Sequence, residues 1–368
     1  MNKELVFLCG ARDFHAMDWY KSAKTTITTN SIWIVTDLIA AEGYRKIINP
    51  DDKVYKLIIL DSLLLKKQSA WGHYWRNLLK LLFFPFQLLL LKQFSKNHPE
   101  AVYHAHSMYY VFLAWAAKLK YVATPQGSDV LIKPKKSKLY KYFTIKSLRK
   151  AKAVTVDSYA MQKGVFDMCG FKPVIIQNGI DIESINNYQS THQKTTRYRY
   201  VSIRGLTELY RIALILKMRN ESKLYNQTQI TFFYPFSDLE YKNKIQPLFN
   251  SNDEDFGRVN RTKMYDLLHQ TKLVFSIPIS DSSPRSVYES IFCGCAVAIT
   301  HHPYYDILPT CMKERIILLD LSQPNWFKYA IEKAEQIIEK PFLPSSDALN
   351  LFDQKKSFKH IQSLLFKS

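Results

Sequence analysis

Short apolar runs alternate with longer segments of helical periodicity along the first half of the chain. The runs Leu5–Leu8, Ile32–Val35, Leu57–Leu60, Val102–His104, Tyr121–Ala123, Ala153–Val156 and Val174–Ile176 read as strands, and Val111–Leu119 and Ser158–Met168 between them read as helices. Alternation of this kind predicts parallel βαβ units. Residues 186–197, NNYQSTHQKTTR, are polar and without period, so they predict a connection between domains. A second alternation follows through Tyr200–Ile203, Ile230–Phe233 and Ile316–Leu319, and helices over Asn325–Ile338 and Ser346–Phe366 close it. The pattern predicts an α/β protein of two doubly wound parallel-sheet domains, residues 1–185 and 198–345, with a closing helix over 346–368.

One unit of the second half joins this pattern to chemistry. Lys272–Thr300 reads as a buried strand over Leu273–Ile279, a turn, a helix and a second strand over Ala296–Ile299. Ser283 is placed to cap that helix with Pro284 at its first position, and Gly294 to end it in the left-handed conformation. Ligands of open parallel sheets bind outside the carboxyl ends of the strands, where Ser280, Asp281, Ser282 and Ser283 fall. The helix N-terminus there suits a diphosphate. Asp281 and Glu289 are eight positions apart, so both carboxylates border one crevice, and a carboxylate there accepts a ribose diol.

Asp281-x7-Glu289 followed by Cys293-Gly294 and an apolar strand resembles the nucleotide-sugar site of the retaining family 4 glycosyltransferases of GT-B fold. The resemblance implies two Rossmann-like domains facing across a cleft, with the last helix crossing back onto the first domain. It implies that Glu289 grips the donor ribose and Asp281 the transferred sugar. That family usually carries Glu at the first acidic position and a Gly-rich turn, where this chain has Asp and Ser-Ser-Pro.

Other segments extend the resemblance. Arg204, just after a strand, and Arg211, seven residues on and in the first turns of a helix capped by Thr207, look like the family's cation pair for the donor phosphates. Asn178-Gly179-Ile180-Asp181 is similar to the turn that closes the family's first domain beside the donor, and Asn-Gly is also a plain turn signal. His104-Ala105-His106-Ser107 and Thr124-Pro125-Gln126-Gly127-Ser128-Asp129 resemble two acceptor-side segments, so that His106, Gln126 and Asp129 line that side. Gln126 stands where many relatives have His, and an amide does not act as a base near neutral pH. Gly10, in Cys9-Gly10-Ala11-Arg12, allows backbone to approach the donor phosphates. Asp253-Glu254-Asp255 fits an Asp-x-Asp metal motif, but it sits in a polar stretch and reads as a solvated acidic loop.

Composition bounds the partners. The net charge of +19 implies anionic ones: phosphates, a membrane surface or nucleic acid. No RNA-recognition, helix-turn-helix or zinc-finger pattern is present, so nucleic acid is not expected. Five scattered cysteines in no zinc spacing read as buried thiols of a reducing cytosol. The N-terminus reads as a first strand and not as a signal peptide. Trp71–Lys96 joins aromatic residues, a Leu/Phe body and the cations Arg76, Lys80, Lys92 and Lys96, with no acidic residue. It reads either as a core helix or as an interfacial helix pair kinked at Pro85 on an anionic leaflet, its apolar part too short to span a bilayer. Lys133–Lys152 adds a second basic stretch.

The reading is a retaining, metal-independent glycosyltransferase without cofactor. It moves a sugar from a nucleotide-sugar to a hydroxyl acceptor, expected to be a lipid-linked saccharide of bacterial surface polysaccharide at the inner face of the cytoplasmic membrane. Two other classes stay open: a nucleotide-sugar epimerase of the same fold, and a non-catalytic basic scaffold for anionic lipid or RNA.

Overall fold

A computed structural model describes residues 4–11, 14–27, 31–40, 42–64, 70–191, 197–281 and 283–366. These form two parallel sheets. The first holds β1 (Leu5–Leu8), β2 (Ile32–Thr36), β3 (Lys53–Lys56), β4 (Val102–His106), β5 (Tyr121–Thr124), β6 (Ala153–Val156) and β7 (Val174–Ile175), in the order β3-β2-β1-β4-β5-β6-β7. The second holds β8 (Arg199–Ser202), β9 (Ile230–Phe233), β10 (Glu254–Gly257), β11 (Thr271–Ser276), β12 (Ala296–Ile299) and β13 (Ile316–Leu318), in the order β10-β9-β8-β11-β12-β13. Two α/β units with doubly wound sheets are therefore as the alternation predicts.

The central strands bear apolar residues on both faces because both faces of each sheet are covered. In β1, Leu5 and Phe7 point to one core while Val6 and Leu8 point to the other. In β11, Leu273 and Phe275 face one core and Val274 the opposite one. Fully burying such a side chain is worth ~1.5–3 kcal/mol.

The chain divides into residues 1–178 with 354–368, and residues 179–353. The expected single closing helix is two, Ser346–Phe352 and Gln354–Phe366, separated at Asp353. The second packs in the first unit, where Phe358, Ile361 and Leu365 are buried in the core that holds Trp19. Residues 182–191 are helical, so the expected interdomain connection is helix as far as Thr191, and 192–196 lie outside the described residues.

Other expectations shift. The third strand is Lys53–Lys56 and not Leu57–Leu60. Trp71–Lys96 belongs to one helix, Ala70–Asn97, continuous through Pro85, not to a pair. Its stretch Tyr74–Asn97 is long and apolar enough to cross a membrane by length and composition, which corrects the expectation that no run is.

Candidate active site

Each sheet reverses its strand order once, between β1 and β4 in the first unit and between β8 and β11 in the second. The crevice outside the carboxyl ends at such a point is where open α/β sheets bind ligands.

In the second unit, Arg204 follows the end of β8 and Asp281 the end of β11. Arg204 Nη2 donates to Asp281 Oδ2 at 2.6 Å, and Nη1 donates to Ser286 Oγ at 2.9 Å. The guanidinium stacks 4.7 Å from the Tyr210 ring centre. Ser286 is the second residue of the helix Arg285–Phe292. One guanidinium thus links the β8 end, the β11 loop and a helix N-terminus, whose first N–H groups have no intrahelical acceptors. Glu289 lies three positions beyond Ser286, on the same helical face and buried, and Tyr265 Oη donates to its Oε1 at 3.4 Å. Burial, and then the charge of Glu289, push the Tyr265 hydroxyl well above its usual range, so it stays a donor.

Pro284 is the N-cap of this helix and not its first helical residue, so Ser283 sits one place further out than the sequence suggests. Gly294 ends the helix at φ 82° in the left-handed region, as expected. Ser282 lies outside the described residues. Arg211 is not within a helical turn: it follows the short 3-10 helix Glu208–Tyr210 at φ 53° and starts the helix Ile212–Glu221. A non-glycine residue in that region is uncommon and costs on the order of 1–3 kcal/mol. The Leu209 carbonyl accepts from Ile279 N–H at 2.8 Å, which ties this turn to the β11 loop.

His302, after β12, completes the rim. Its Nε2 is 3.1 Å from the Pro278 carbonyl and 3.1 Å from Thr300 Oγ1. Burial lowers its pKa, although the Pro278 carbonyl and the charge of Asp281 oppose the shift. Tyr210, Ser286, Tyr265 and His302 escape sequence reasoning. Only Ser286 had a signal, its place in the first turn of a helix that begins at a ligand-binding strand end.

In the first unit, Gly10 follows β1, and a Cβ on it would sit 2.5 Å from Tyr110 Oη. That hydroxyl donates to the buried Asp37 carboxylate and accepts from Lys80 Nζ at 3.0 Å. Gly10 is therefore fixed here by a packing need. His106 ends β4 and is buried. Its neighbour His104 is pushed down to about 3 by burial and then by His106, and Thr124 Oγ1 lies 2.7 Å from its Nε2. Gln126 and Asp129 form a reciprocal cap of the helix Gly127–Leu131. The Asp129 carboxylate also accepts from Met108 N–H at 3.0 Å, Lys133 Nζ at 2.6 Å and Tyr140 Oη at 3.3 Å. That set makes Asp129 a joint between elements.

Asn178 is buried and its Nδ2 donates to His15 Nδ1 at 2.9 Å. Gly179, in the second unit, takes φ 69°. Asp157, which no sequence motif marks, lies directly after β6. Its Oδ1 is buried without a protein hydrogen bond, and burial raises its pKa, opposed first by a hydrogen bond with Ser158 and then by the field of His15.

Asp253-Glu254-Asp255 is not a solvated loop. Glu254–Gly257 is the edge strand β10, and the three carboxylates pair with Arg219, Arg199 and Lys242. Among the described residues no group of three His, Cys, Asp or Glu side chains is placed to hold a metal ion.

Residues 67–184 match the family model Glycosyltransferase Family 4. No curated protein matches the chain. Among solved structures, a glycosyltransferase from Rickettsia africae is 12% identical with TM-score 0.69, covering 100% of both chains. HepE of Anabaena, solved with UDP and glucose, is 13% identical with TM-score 0.66 over 99% of each chain. Sucrose-phosphate synthase from Thermosynechococcus elongatus is 10% identical with TM-score 0.67 over 98% of each. At these identities the likeness establishes the fold, which is GT-B.

Proposed function

We propose that this chain, a glycosyltransferase by its family 4 segment and its GT-B fold, transfers a sugar from a nucleotide diphosphate sugar to a hydroxyl with retention and without a metal. The observation that carries this is the placement of Arg204, Asp281, Ser286 and Glu289 around one helix N-terminus at the β8/β11 reversal.

The chemistry follows from that placement. Arg204 and the amides at the start of Arg285–Phe292 stabilise charge on the departing diphosphate, and Arg211 adds to it from the next turn. Asp281 and Ser286 hold the guanidinium in place, so Arg204 is oriented before the donor arrives. Asp281 then has two duties, fixing Arg204 and meeting the transferred sugar. Glu289 accepts the ribose hydroxyls. The diphosphate itself takes the acceptor proton, and no protein nucleophile is needed. Catalysis rests on positioning and charge stabilisation.

HepE, of the same fold, was solved with UDP and glucose, which supports a nucleotide-sugar as donor. As acceptor we favour a lipid-linked saccharide of bacterial surface polysaccharide, on the cytoplasmic side. The acid-free basic segments 70–97 and 133–150 of the first unit support it. His106 and Gln126 border the acceptor.

Thermal unfolding with a panel of UDP-, GDP- and ADP-sugars tests the donor, since a ligand at 100 times its dissociation constant adds about 2.7 kcal/mol. NMR of the product with an alcohol acceptor then reads the anomer. No stabilisation by any of them sinks the proposal, and an inverted product removes retention. Epimerised sugar without transfer selects the epimerase.

A further inference from the structure

We propose that the protein docks on an anionic lipid leaflet through one face of the helix Ala70–Asn97 together with the basic helix Lys138–Lys150, the long helix lying along the leaflet and not crossing it. Trp71, Tyr74, Leu78, Leu81, Leu82 and Leu89 share one face of the long helix, and all are exposed, Leu81 at 71% and Trp71 at 80%. At 1.5 Å per residue this apolar face runs about 27 Å. Exposed apolar surface on that scale marks a binding face. The same face continues past Leu89 as the exposed cations Lys92 and Lys96.

The opposite face fixes the helix to its own unit. Leu79, Gln87, Leu91 and Phe94 are buried, and Lys80 reaches Asp37 at 3.4 Å. A bilayer-spanning helix would have to give up this packing and expose the buried Asp37. Long enough to cross, the helix is held as an interfacial one.

Charge selects the occupant. The segments 70–97 and 133–150 contain no acidic residue. The helix Met108–Ala116 packs between the two helices, with Phe84 ring-to-ring against Tyr109 at 6.0 Å and Phe112 against Tyr140 at 5.6 Å. Lys138–Lys150 therefore covers the same side of the sheet and presents Leu139 and Tyr142 with Lys138, Lys141 and Lys146 to solvent. A second copy meeting this patch across a twofold axis would set cations against cations. An anionic leaflet offers charge to the lysines and hydrocarbon to the leucines. The inference rests on no step of the transfer chemistry, so its outcome and that of the donor assay are independent.

The test is flotation of the full chain with phosphatidylcholine vesicles, with and without phosphatidylglycerol. The wild type is expected to float with the anionic vesicles and to be released in part by salt. Leu78→Glu/Leu82→Glu and, separately, Lys138→Glu/Lys141→Glu should each lower partitioning by at least about tenfold. All four sites are exposed, so melting curves should match the wild type. Absence of wild-type binding overturns the proposal. So does resistance to alkaline carbonate extraction, which a crossing helix would show. So does a dimer in sedimentation velocity that Leu78→Glu/Leu82→Glu abolishes without any vesicle effect.

Discussion

The second unit contains two Arg–Asp pairs that share chemistry and differ in use. Arg219 and Asp253 are fully sealed, with side-chain exposure of 0% each. Arg219 also donates to the Thr228 carbonyl at 3.2 Å, the Leu248 carbonyl at 2.9 Å and Asn220 Oδ1 at 3.0 Å, while Asp253 accepts from the Ile230 and Asn250 amides. This pair sits at the amino end of β9 and knots a helix, a strand and a loop. Arg204 and Asp281 sit at the carboxyl ends of β8 and β11, with side-chain exposures of 8% and 13%. The first pair has its donors and acceptors consumed by neighbouring backbone. The second stands beside a helix N-terminus with a route to solvent. The end of the sheet, not the residue types, decides whether such a pair builds the fold or meets a ligand.

Two substitutions test that contrast, and a third tests a buried carboxyl of the first unit. Arg219→Met should show the largest effect, a loss of ~3–5 kcal/mol in urea unfolding, because it leaves Asp253 charged, buried and without its cation. Its turnover below the melting range should stay near wild type. Arg204→Ala should instead lower kcat about 100-fold or more while far-UV circular dichroism is unchanged. Activity loss in the first, or wild-type kcat in the second, would dissolve the distinction. The smallest effect belongs to Asp157→Asn in the first unit. Burial holds this carboxyl above its unfolded value, so its ionisation costs stability above the folded pKa, and the cost fades as pH falls. The variant should melt about 2–4 °C higher at pH 7 per kcal/mol relieved, with the gap shrinking toward pH 4.

Central strands were readable because burial on both faces writes them as apolar runs: Leu5–Leu8, Ala153–Val156, Ile230–Phe233 and Ala296–Ile299 match the observed bounds. Two of the four edge strands were not, whereas the edges Val174–Ile175 and Ile316–Leu318 were legible as apolar runs. Lys53–Lys56 and Glu254–Gly257 are half-buried or exposed, so charge along them hides the strand. Arg204, Asp281 and Glu289 were placed near one another by spacing and by the strand-end rule. Their hydrogen bonds were invisible, since Ser286 and Tyr210 reach Arg204 through turns whose backbone a pattern does not encode. The φ of 53° at Arg211 is such a case. The part Asp129 plays as a joint was invisible because it depends on Lys133, Tyr140 and the Met108 amide, which only the tertiary arrangement gathers.

The placement of Gln354–Phe366 in the first unit has a consequence for synthesis. Residues 179–353 are inserted between the two parts of the first unit, so the segment bearing Phe358, Ile361 and Leu365 is the last of that unit's core to be synthesised. The part made first therefore waits longest for its last helix, with Trp19 and its neighbours uncovered meanwhile, so a truncation at residue 353 would harm the domain that was translated earliest.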